Sequence, residues 1–478
     1  MPQYDYDLLV LGGGSAGYAA ASQGMRLGLR VAIVEGGEHV GGLCILAGCM
    51  PSKALLESGH RAETIRRAEE FGLRATFHGA DGPAIRARKR RLIDDFASYR
   101  TNQLEEGKWT FIRGSSSFMD AHTVEIAPRD GSAGQQRISA GTFVIATGSE
   151  ISWIDLPGLR EAGVMTSDAV LDSDQVPGSV VVIGGGAIAV ECASYYAGLG
   201  VRVTILQRSG HLVKEMDPEI SSALAGAFRK RGIQVWTSTR LQSVECVPGG
   251  MKTVRFHHAG GDAIAEGEEI VYALGRHART GGLGLEAAGV ALHEKGNAIR
   301  VAPTQQTSVP HIFAAGDVCG PFEVVHSAIA QGELAVRNAA RLLGVHPPHT
   351  AEGGLERMDY RLKLFAVFSH PELASVGATA QELTATGASF VEATYPFDDH
   401  GKSIVRGETE GFVKLIADPV TRRILGGAVI GPEASELIHE IAVAMHFNAT
   451  AGQLAAVPHY HPTLSEIWTY PAEALAEM

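Results

Sequence analysis

One local pattern occurs twice in this chain. Asp7-Leu-Leu-Val-Leu11 reads as a buried parallel strand, and Gly12-Gly-Gly14-Ser-Ala-Gly17 follows it directly. An Ala-rich helix through residues 18–28 and a second strand, Arg30–Val34, then lead to Glu35. Val180–Ile183, Gly184-Gly-Gly186-Ala-Ile-Ala189, another helix and Arg202–Leu206 repeat the order. Each copy is a βαβ unit. The first Gly makes the turn, the second admits a pyrophosphate, the third small residue lets helix and strand pack, and an acid about 20 residues on accepts from a ribose hydroxyl. Two copies imply two dinucleotide sites.

The bare glycine spacing carries little weight. With 58 glycines in 478 residues, about 0.8 matches arise by chance. Gly282-Leu-Gly284-Leu-Glu-Ala287 fits the relaxed pattern but follows Arg279 and Thr280 instead of a strand. The N-terminal copy has strand, helix, second strand and acid. Counting from its first glycine, Gly12 to Glu35 is 23 residues, and the same count from Gly184 lands on Gln207, followed by Arg208. The acid that would repel a 2′-phosphate is missing, and a cation stands beside the gap. That favours NADPH over NADH, although Arg208 can also be read as a solvated side chain.

The rest of the chain sets limits. Its length suits about three domains. Composition is ordinary globular, 45% apolar and 20% charged. The net charge of −12 argues against nucleic acid as the main partner. No apolar run reaches membrane-spanning length, five cysteines do not make a secreted scaffold, and no signal segment opens the chain, so the cytoplasm is expected. Arg86, Arg88, Lys89, Arg90 and Arg91 within residues 84–106 read as a solvated helix face beside a core stripe, with a nucleic-acid site as the alternative. Short strands and hairpins follow over 107–145, with a loop at 130–134. They end in Phe143–Ala146 and in Thr147-Gly148-Ser149, whose small side chains let a ligand approach the backbone, with an ordinary strand-end turn as the plain alternative. The second unit closes at Val271–Leu274 with Gly275-Arg276. A further strand ends in Gly316-Asp317, placing a carboxylate at a strand's C-terminal edge, and a helix over 324–342 follows. From about residue 351 alternating strands and a helix, Ile438–Phe447, form an α+β module without a nucleotide fingerprint.

Two short segments carry reactive groups. Cys44 and Cys49 are at i and i+5, roughly 8–9 Å apart on an ideal helix, whereas a disulfide needs about 4.4–6.8 Å. They can bond only if the helix is distorted or begins between them, with Gly48 supplying freedom; such a bridge would be strained and reducible. The other reading is two buried thiols. In the tail, His461-Pro-Thr-Leu-Ser-Glu466 can form an ion-paired imidazole suited to acid–base work beside a thiol. Two histidines, His459 and His461, in a solvated turn are the plain alternative, and a metal reading lacks further ligands. Cys192, Cys246 and Cys319 have no spaced partner.

Together these residues resemble the flavin-dependent pyridine nucleotide–disulfide oxidoreductases over nearly the whole chain. The resemblance rests on Gly12-x-Gly14-x-x-Gly17 with Glu35, Gly42-Leu-Cys44…Cys49-Met-Pro-Ser-Lys53, and Ala146-Thr147-Gly148-Ser149. It rests also on the second glycine motif with Glu191, Ala314-Ala-Gly-Asp317, and His461-Pro-Thr-Leu-Ser-Glu466. It implies an α/β fold of two Rossmann-like dinucleotide-binding domains plus a C-terminal α+β dimerisation domain. Residues 1–150 and 276–350 would bind FAD, 151–275 NAD(P)H, and 351–478 would form the interface of an obligate homodimer. Cys49 would be the thiol against the flavin and Cys44 the one that exchanges with a small disulfide or dithiol substrate. Lys53 would stand near the flavin with Glu191 beside it, Asp317 would reach the ribityl chain, and His461, backed by Glu466, would serve the other subunit's disulfide.

Pro51-Ser-Lys53 and the tail are most similar to dihydrolipoamide dehydrogenases, whereas Ala187-Ile-Ala189-Val-Glu191 and Gln207 are similar to NADPH-using glutathione reductases. Mercuric reductases share the cysteine pair and Lys53, but are expected to carry a further C-terminal cysteine pair, which Ala474-Leu-Ala-Glu-Met478 lacks. Arg276-His-Ala-Arg-Thr280 departs from the family's usual Arg-x-Pro-Asn-Thr. A flavoprotein redox sensor is the non-enzyme alternative, and it would more naturally have lost one of these groups.

Overall fold

The computed structural model describes residues 3–129, 134–246, 250–345 and 354–478. The loop expected at 130–134 lies, but for Gly134, outside the described residues. The chain divides into two compact units: the described parts of Met1–Pro51, Arg90–Ser152 and Arg276–Asp359, and those of Ser52–Lys89, Trp153–Gly275 and Tyr360–Met478.

In the first unit, Tyr6–Leu11 is the centre of a parallel sheet. It pairs with Val31–Glu35 on one side and with Gln136–Ile145 on the other, the latter continuing to Ile312–Ala314. The register sets Val10 beside Ile33 and Val144, so one face is aliphatic throughout. Against it pack Ala16 and Ala20 of the helix Ser15–Arg26 and Ala335, Val336 and Ala339 of Val325–Leu342. Small side chains bring these helices close: a Cβ on Gly332 would sit 2.4 Å from the Ala16 carbonyl oxygen. The opposite face, with Leu9, Leu11, Phe143 and Ile145, buries Phe118 and Val124 of an antiparallel extension, Thr110–Phe118 with Thr123–Pro128. The first helix begins at Ser15, not at residue 18, because Gly14 is its extended N-cap and Ala16 and Gly17 already lie inside it.

In the second unit, Ser179–Ile183 is flanked by parallel strands Arg202–Leu206 and Glu269–Tyr272, with Gln234–Trp236 and Met165–Thr166 at the edges. Three antiparallel strands, Arg240–Cys246, Lys252–His258 and Gly261–Gly267, form a ribbon. The C-terminal module is a five-stranded antiparallel sheet. Leu364–Val367, Glu372–Gly377, Ile424–Gly431, Phe412–Ala417 and Val391–Pro396 lie side by side in that order. Ile438 and Ile441 of the helix Ala434–His446 cover its core with Trp468. The decoy glycines at 282 and 284 precede only the four-residue helix Leu285–Ala288 and carry no βαβ unit.

The basic run lies on the helix Gly82–Glu105, and only part of it is solvated. Arg90 and Arg91 are exposed, but Lys89 is buried and donates to Asp172 at 2.7 Å, and Arg86 lies 3.5 Å from Asp174. The expectation of a solvated face is corrected there: an ammonium enters the interior only with its counter-ion, and Asp172 comes from a distant stretch of sequence.

A second buried cation, Lys414, is 1% exposed. It lies 3.1 Å from Asp217 and 2.9 Å from Glu392, and it also meets Glu219. Burial opposes its charge, but the three carboxylates overcome that and hold the ammonium above its ordinary range. Asp217, 2% exposed, also accepts from the Ala380 and Gln381 N–H groups. Lys414→Met therefore strands a buried carboxylate and is expected to cost about 3–5 kcal/mol of unfolding free energy, read from urea denaturation. A further Asp217→Asn change recovers part of the loss. An unchanged midpoint in Lys414→Met would overturn this account.

Candidate active site

The first glycine turn is shaped by what it excludes. Gly12 has φ +107°, and a Cβ there would lie 2.4 Å from the Ala146 oxygen. A Cβ on Gly17 would lie 1.8 Å from the Gly12 oxygen, so this position admits only glycine. The helix that follows has no side-chain cap at Gly14, leaving its first N–H groups for an anion. Glu35 is held at the strand end by the Gly13 N–H at 2.7 Å and the Gly37 N–H at 2.6 Å. Gly42 packs onto Gly14: a Cβ on it would come within 2.6 Å of the Gly14 Cα. These features fit an adenine dinucleotide, with the pyrophosphate at Gly12–Gly17 and a ribose at Glu35.

On the same unit, Ser149 donates to Asp317 at 2.7 Å and receives the Arg276 Nε–H at 2.9 Å. The Arg276 guanidinium also donates to the Ser149 carbonyl. Burial, with Asp317 nearby, raises the Glu323 carboxyl above its ordinary range, and Arg276 opposes this. Thr147 and Gly148 bond the Arg279 backbone. The expected group Thr147–Ser149 and Asp317 is thus one cluster, and Arg276 is its unanticipated cation.

The second glycine turn repeats the first with one substitution of chemistry. Gly184 has φ +126°, and the helix Ala187–Gly198 begins after Gly186, again without a side-chain cap. Gly186 faces open space, and Ala189 is buried at the third position. Where Glu35 meets Gly13, Gln207 lies under Gly185, whose Cβ would come within 2.7 Å of it. Gln207 accepts from the Arg208 N–H at 3.0 Å and donates to the His211 carbonyl at 3.3 Å. The Arg208 side chain is exposed. Gly275, with φ +106°, follows the strand Glu269–Tyr272.

Cys44 lies in a short helix, Gly42–Leu46, and Cys49 opens a long one, Cys49–Arg66. The helix begins between the two cysteines. Gly48 serves by close approach, not by an unusual φ: a Cβ there would lie 2.8 Å from the Leu43 oxygen. Four residues into the long helix, Lys53 makes a forked pair with Glu191, 2.9 Å to each oxygen, and lies 4.5 Å from the Phe368 ring centre. Glu191 also accepts the Phe368 N–H at 3.0 Å. Phe368 carried no sequence signal, because its backbone as well as its ring supplies the contact. Burial raises the Cys192 and Cys319 thiols to about 12, which suits inert core residues.

In the tail, His461 Nδ1 lies 3.0 Å from one Glu466 oxygen. The His461 ring is 79% exposed while Glu466 is 12% exposed. His459 instead pairs with Glu440 at 2.6 Å, so the two histidines do not share a site. Glu466 is fixed by its neighbours: Ile467 and Trp468 are fully buried, and the Trp468 indole donates to the Leu437 carbonyl. The other Glu466 oxygen faces His400 at 3.4 Å, a residue that sequence reasoning missed.

Residues 6–332 match the pyridine nucleotide-disulphide oxidoreductase family. The chain belongs to that family. Residues 365–472 match the family's dimerisation domain, so this is a homodimer-forming oxidoreductase. It is 34% identical to the dihydrolipoyl dehydrogenase of Bacillus subtilis, over 97% of this chain and 96% of that one. It is 33% identical to the enzyme of the same name from Geobacillus stearothermophilus, over 98% and 95%. A mercuric reductase from Bacillus cereus is 32% identical over 97% of this chain and 70% of its own. Among solved structures, LpdA from Mycobacterium tuberculosis superposes with TM-score 0.85 at 28% identity, covering 98% and 99% of the two chains. The HOCl-induced flavoprotein disulfide reductase RclA of Escherichia coli does so with TM-score 0.83 at 25% identity, covering 98% and 99%. The oxidoreductase therefore uses FAD and a nicotinamide nucleotide to exchange electrons with a disulfide centre. No helix among the described residues is long and apolar enough to cross a membrane.

A cleft of about 540 Å³ in the second unit runs from Lys53 past His60, Glu63 and His370 to Arg406. Burial, with the Arg231, His60 and Arg67 charges, pushes the His370 imidazole down to about 3. Glu63 does not reverse this, since Arg231 takes its carboxylate at 3.2 Å. The folded enzyme holds His370 neutral, whereas the unfolded chain protonates it near pH 6.5. Its contribution to stability is whole above about pH 6.5 and falls as pH drops toward 3, by at most about 1.4 kcal/mol per pH unit. The stability difference between the native enzyme and His370→Asn should therefore shrink through this window in urea titrations. A difference independent of pH would refute the neutral imidazole.

Proposed function

We propose that the enzyme passes electrons between NADPH and a small disulfide of the lipoamide class, as a dihydrolipoyl dehydrogenase-like reductase. The observation that carries this reading is the His461–Glu466 pair in a chain whose Cys44 and Cys49 flank a helix break. An exposed, oriented imidazole and a separable pair of thiols are the two parts that thiol–disulfide exchange needs. Residues 1–150 and 276–350 form the FAD-binding domain, 151–275 the nucleotide domain and 351–478 the interface. Bound FAD supplies the two-electron link between nicotinamide and dithiol.

The chain's own groups divide the rest of the work. Gly12, Gly14 and Gly17 receive the FAD pyrophosphate, with Glu35 on a ribose, and Gly42 closes onto Gly14. Asp317, held by Ser149, which Arg276 holds in turn, takes hydroxyls of the ribityl chain near Thr147 and Gly148. The Cys44 thiolate attacks the substrate disulfide, a mixed disulfide forms, and the departing sulfur takes a proton from His461. The Cys49 thiolate then attacks Cys44, which releases the second substrate thiol and leaves the enzyme's disulfide. Cys49 sits at the positive end of a helix, and Lys53 one turn on, paired with Glu191, adds a fixed cation; both favour a thiolate. Glu466 keeps the His461 tautomer with its free nitrogen outward. His461 of one protomer serves the disulfide of its partner, which makes the dimer obligate. The sparse cysteine content fits a reducing compartment, the cytoplasm.

Gly184, Gly186 and Ala189 take the nicotinamide nucleotide's pyrophosphate, Gly275 lines the approach, and Gln207 with Arg208 favours the 2′-phosphate. The test is anaerobic turnover with lipoamide, using NADPH and NADH separately. Faster reaction with NADPH is expected, and Gln207→Glu should lower kcat/KM for NADPH about tenfold or more relative to NADH, the scale of one new charge repulsion. An unchanged ratio removes Gln207 from the specificity argument. Cys44→Ser should keep flavin reduction by NADPH but lose lipoamide turnover more than about a hundredfold, since the attacking thiolate is gone. Retained turnover rejects Cys44 as the exchanging thiol. The likeness to a mercuric reductase supports a second reading, reduction of another acceptor. Normal flavin reduction without lipoamide turnover would select that reading and direct assays to glutathione-type disulfides and mercuric ion.

A further inference from the structure

Glu466 does not face His461 alone. Its second carboxylate oxygen lies 3.4 Å from Nε2 of His400, a side chain with no solvent exposure. His400 Nδ1 lies 2.8 Å from the Ser403 hydroxyl, which is also fully buried. His400 Nε2 makes no hydrogen bond among the described residues, so the Glu466 oxygen 3.4 Å away faces it as a charge contact. His400 precedes the short helix Gly401–Arg406, and Ser403 in its first turn fixes the Nδ1 end of the ring. We propose that His400 is a positioning residue of the exchange reaction, a third group behind the His461–Glu466 pair that fixes the Glu466 carboxylate and shares its charge.

The tautomer follows from the two contacts. Glu466 as a carboxylate only accepts, so the nitrogen facing it carries the proton, and Nδ1 accepts from the Ser403 hydroxyl. Burial holds the imidazole below its ordinary range, with Glu466 opposing this. His400 thus acts as a neutral donor and does not compete with His461 for a proton. The other groups around it are accounted for. Tyr470 stands edge-on at 6.5 Å, and its ring stacks on Tyr395, whose hydroxyl donates to Asp399. Lys414, on the strand packed against residues 465–468, is taken by Asp217, Glu219 and Glu392. The His461 ring can draw little orientation from its own surroundings, being 79% exposed. Its direction comes from Glu466, and that of Glu466 from a buried donor.

This inference rests on the proposed role of His461 in proton transfer, and the test separates the two. His400→Leu removes the donor, His400→Gln can return an N–H to about the Nε2 position, and His461→Ala tests the pair itself. The measurement is stopped-flow reoxidation of the dithionite-reduced holoenzyme by lipoamide across pH, with thermal unfolding in parallel. His400→Leu should slow the step about tenfold, a fraction of the 10²–10⁴ that general acid–base catalysis contributes. It should also move the pH profile to the alkaline side, because an unshared carboxylate favours the imidazolium more strongly. His400→Gln should return the profile toward the native one even if stability stays low. A His400→Leu profile superimposable on the native one, with only the melting temperature changed, overturns the proposal while a slow His461→Ala leaves the pair's role standing. His461→Ala at the native rate overturns the reading of the pair, and this inference with it.

Discussion

The structure depends first on a contact that has no room for a side chain. A Cβ on residue 17 would lie 1.8 Å from the Gly12 oxygen, and one on Gly12 would lie 2.4 Å from the Ala146 oxygen. These approaches bring the helix Ser15–Arg26 onto the sheet at an angle that presents its uncapped N–H groups above the strand ends. The sheet, the anion cradle and the position of Glu35 all follow from that angle. The second unit repeats the first approach, a Cβ on Gly184 coming within 2.2 Å of the Ala273 oxygen, but tolerates Ala189 in third place, whose Cβ would stand 3.5 Å from such a Cβ.

The parts of the site that were legible in the sequence are those whose chemistry is local. Glycine spacings, the cysteine pair and His461 with Glu466 each occupy a short stretch, and the backbone within that stretch decides their geometry. The groups that escaped are joined across long separations. Phe368 reaches Glu191 and Lys53 from the C-terminal module, Arg276 reaches Ser149, and His400 reaches Glu466. Among the secondary elements, Glu372–Gly377 and Val391–Pro396 went unnoticed, though both pair fully within the C-terminal sheet. The first carries no polar alternation because both its faces are covered, and the second ends in a proline, which an edge strand tolerates.

Among the described residues, the lysines and carboxylates nearly sealed from solvent obey one rule. Lys89, Lys414 and Glu191 are all nearly removed from solvent, and each meets its counter-ion directly. The basic helix shows why composition misleads here. A run of arginines and lysines gives the same sequence signal whether a member is solvated, like Arg91, or buried on an aspartate, like Lys89. Only the fold supplies Asp172, and only pairing makes burial tolerable.

Exposure and orientation make opposing demands on the tail. The role proposed for His461 needs a ring open to solvent, as it is, and an open ring has few contacts to set its direction. The C-terminal turn meets this by placing the order one residue deeper. Glu466 is mostly buried, Trp468 anchors the backbone beneath it, and both carboxylate oxygens face imidazoles, one exposed and one sealed. A carboxylate bound on one side only can rotate about its last torsion. With a buried imidazole facing its second oxygen, on the proposal made above, it is held nearer one plane, and the exposed ring takes its direction from that plane through a single hydrogen bond. The rigidity of the buried side is therefore what lets the other side stay open to solvent.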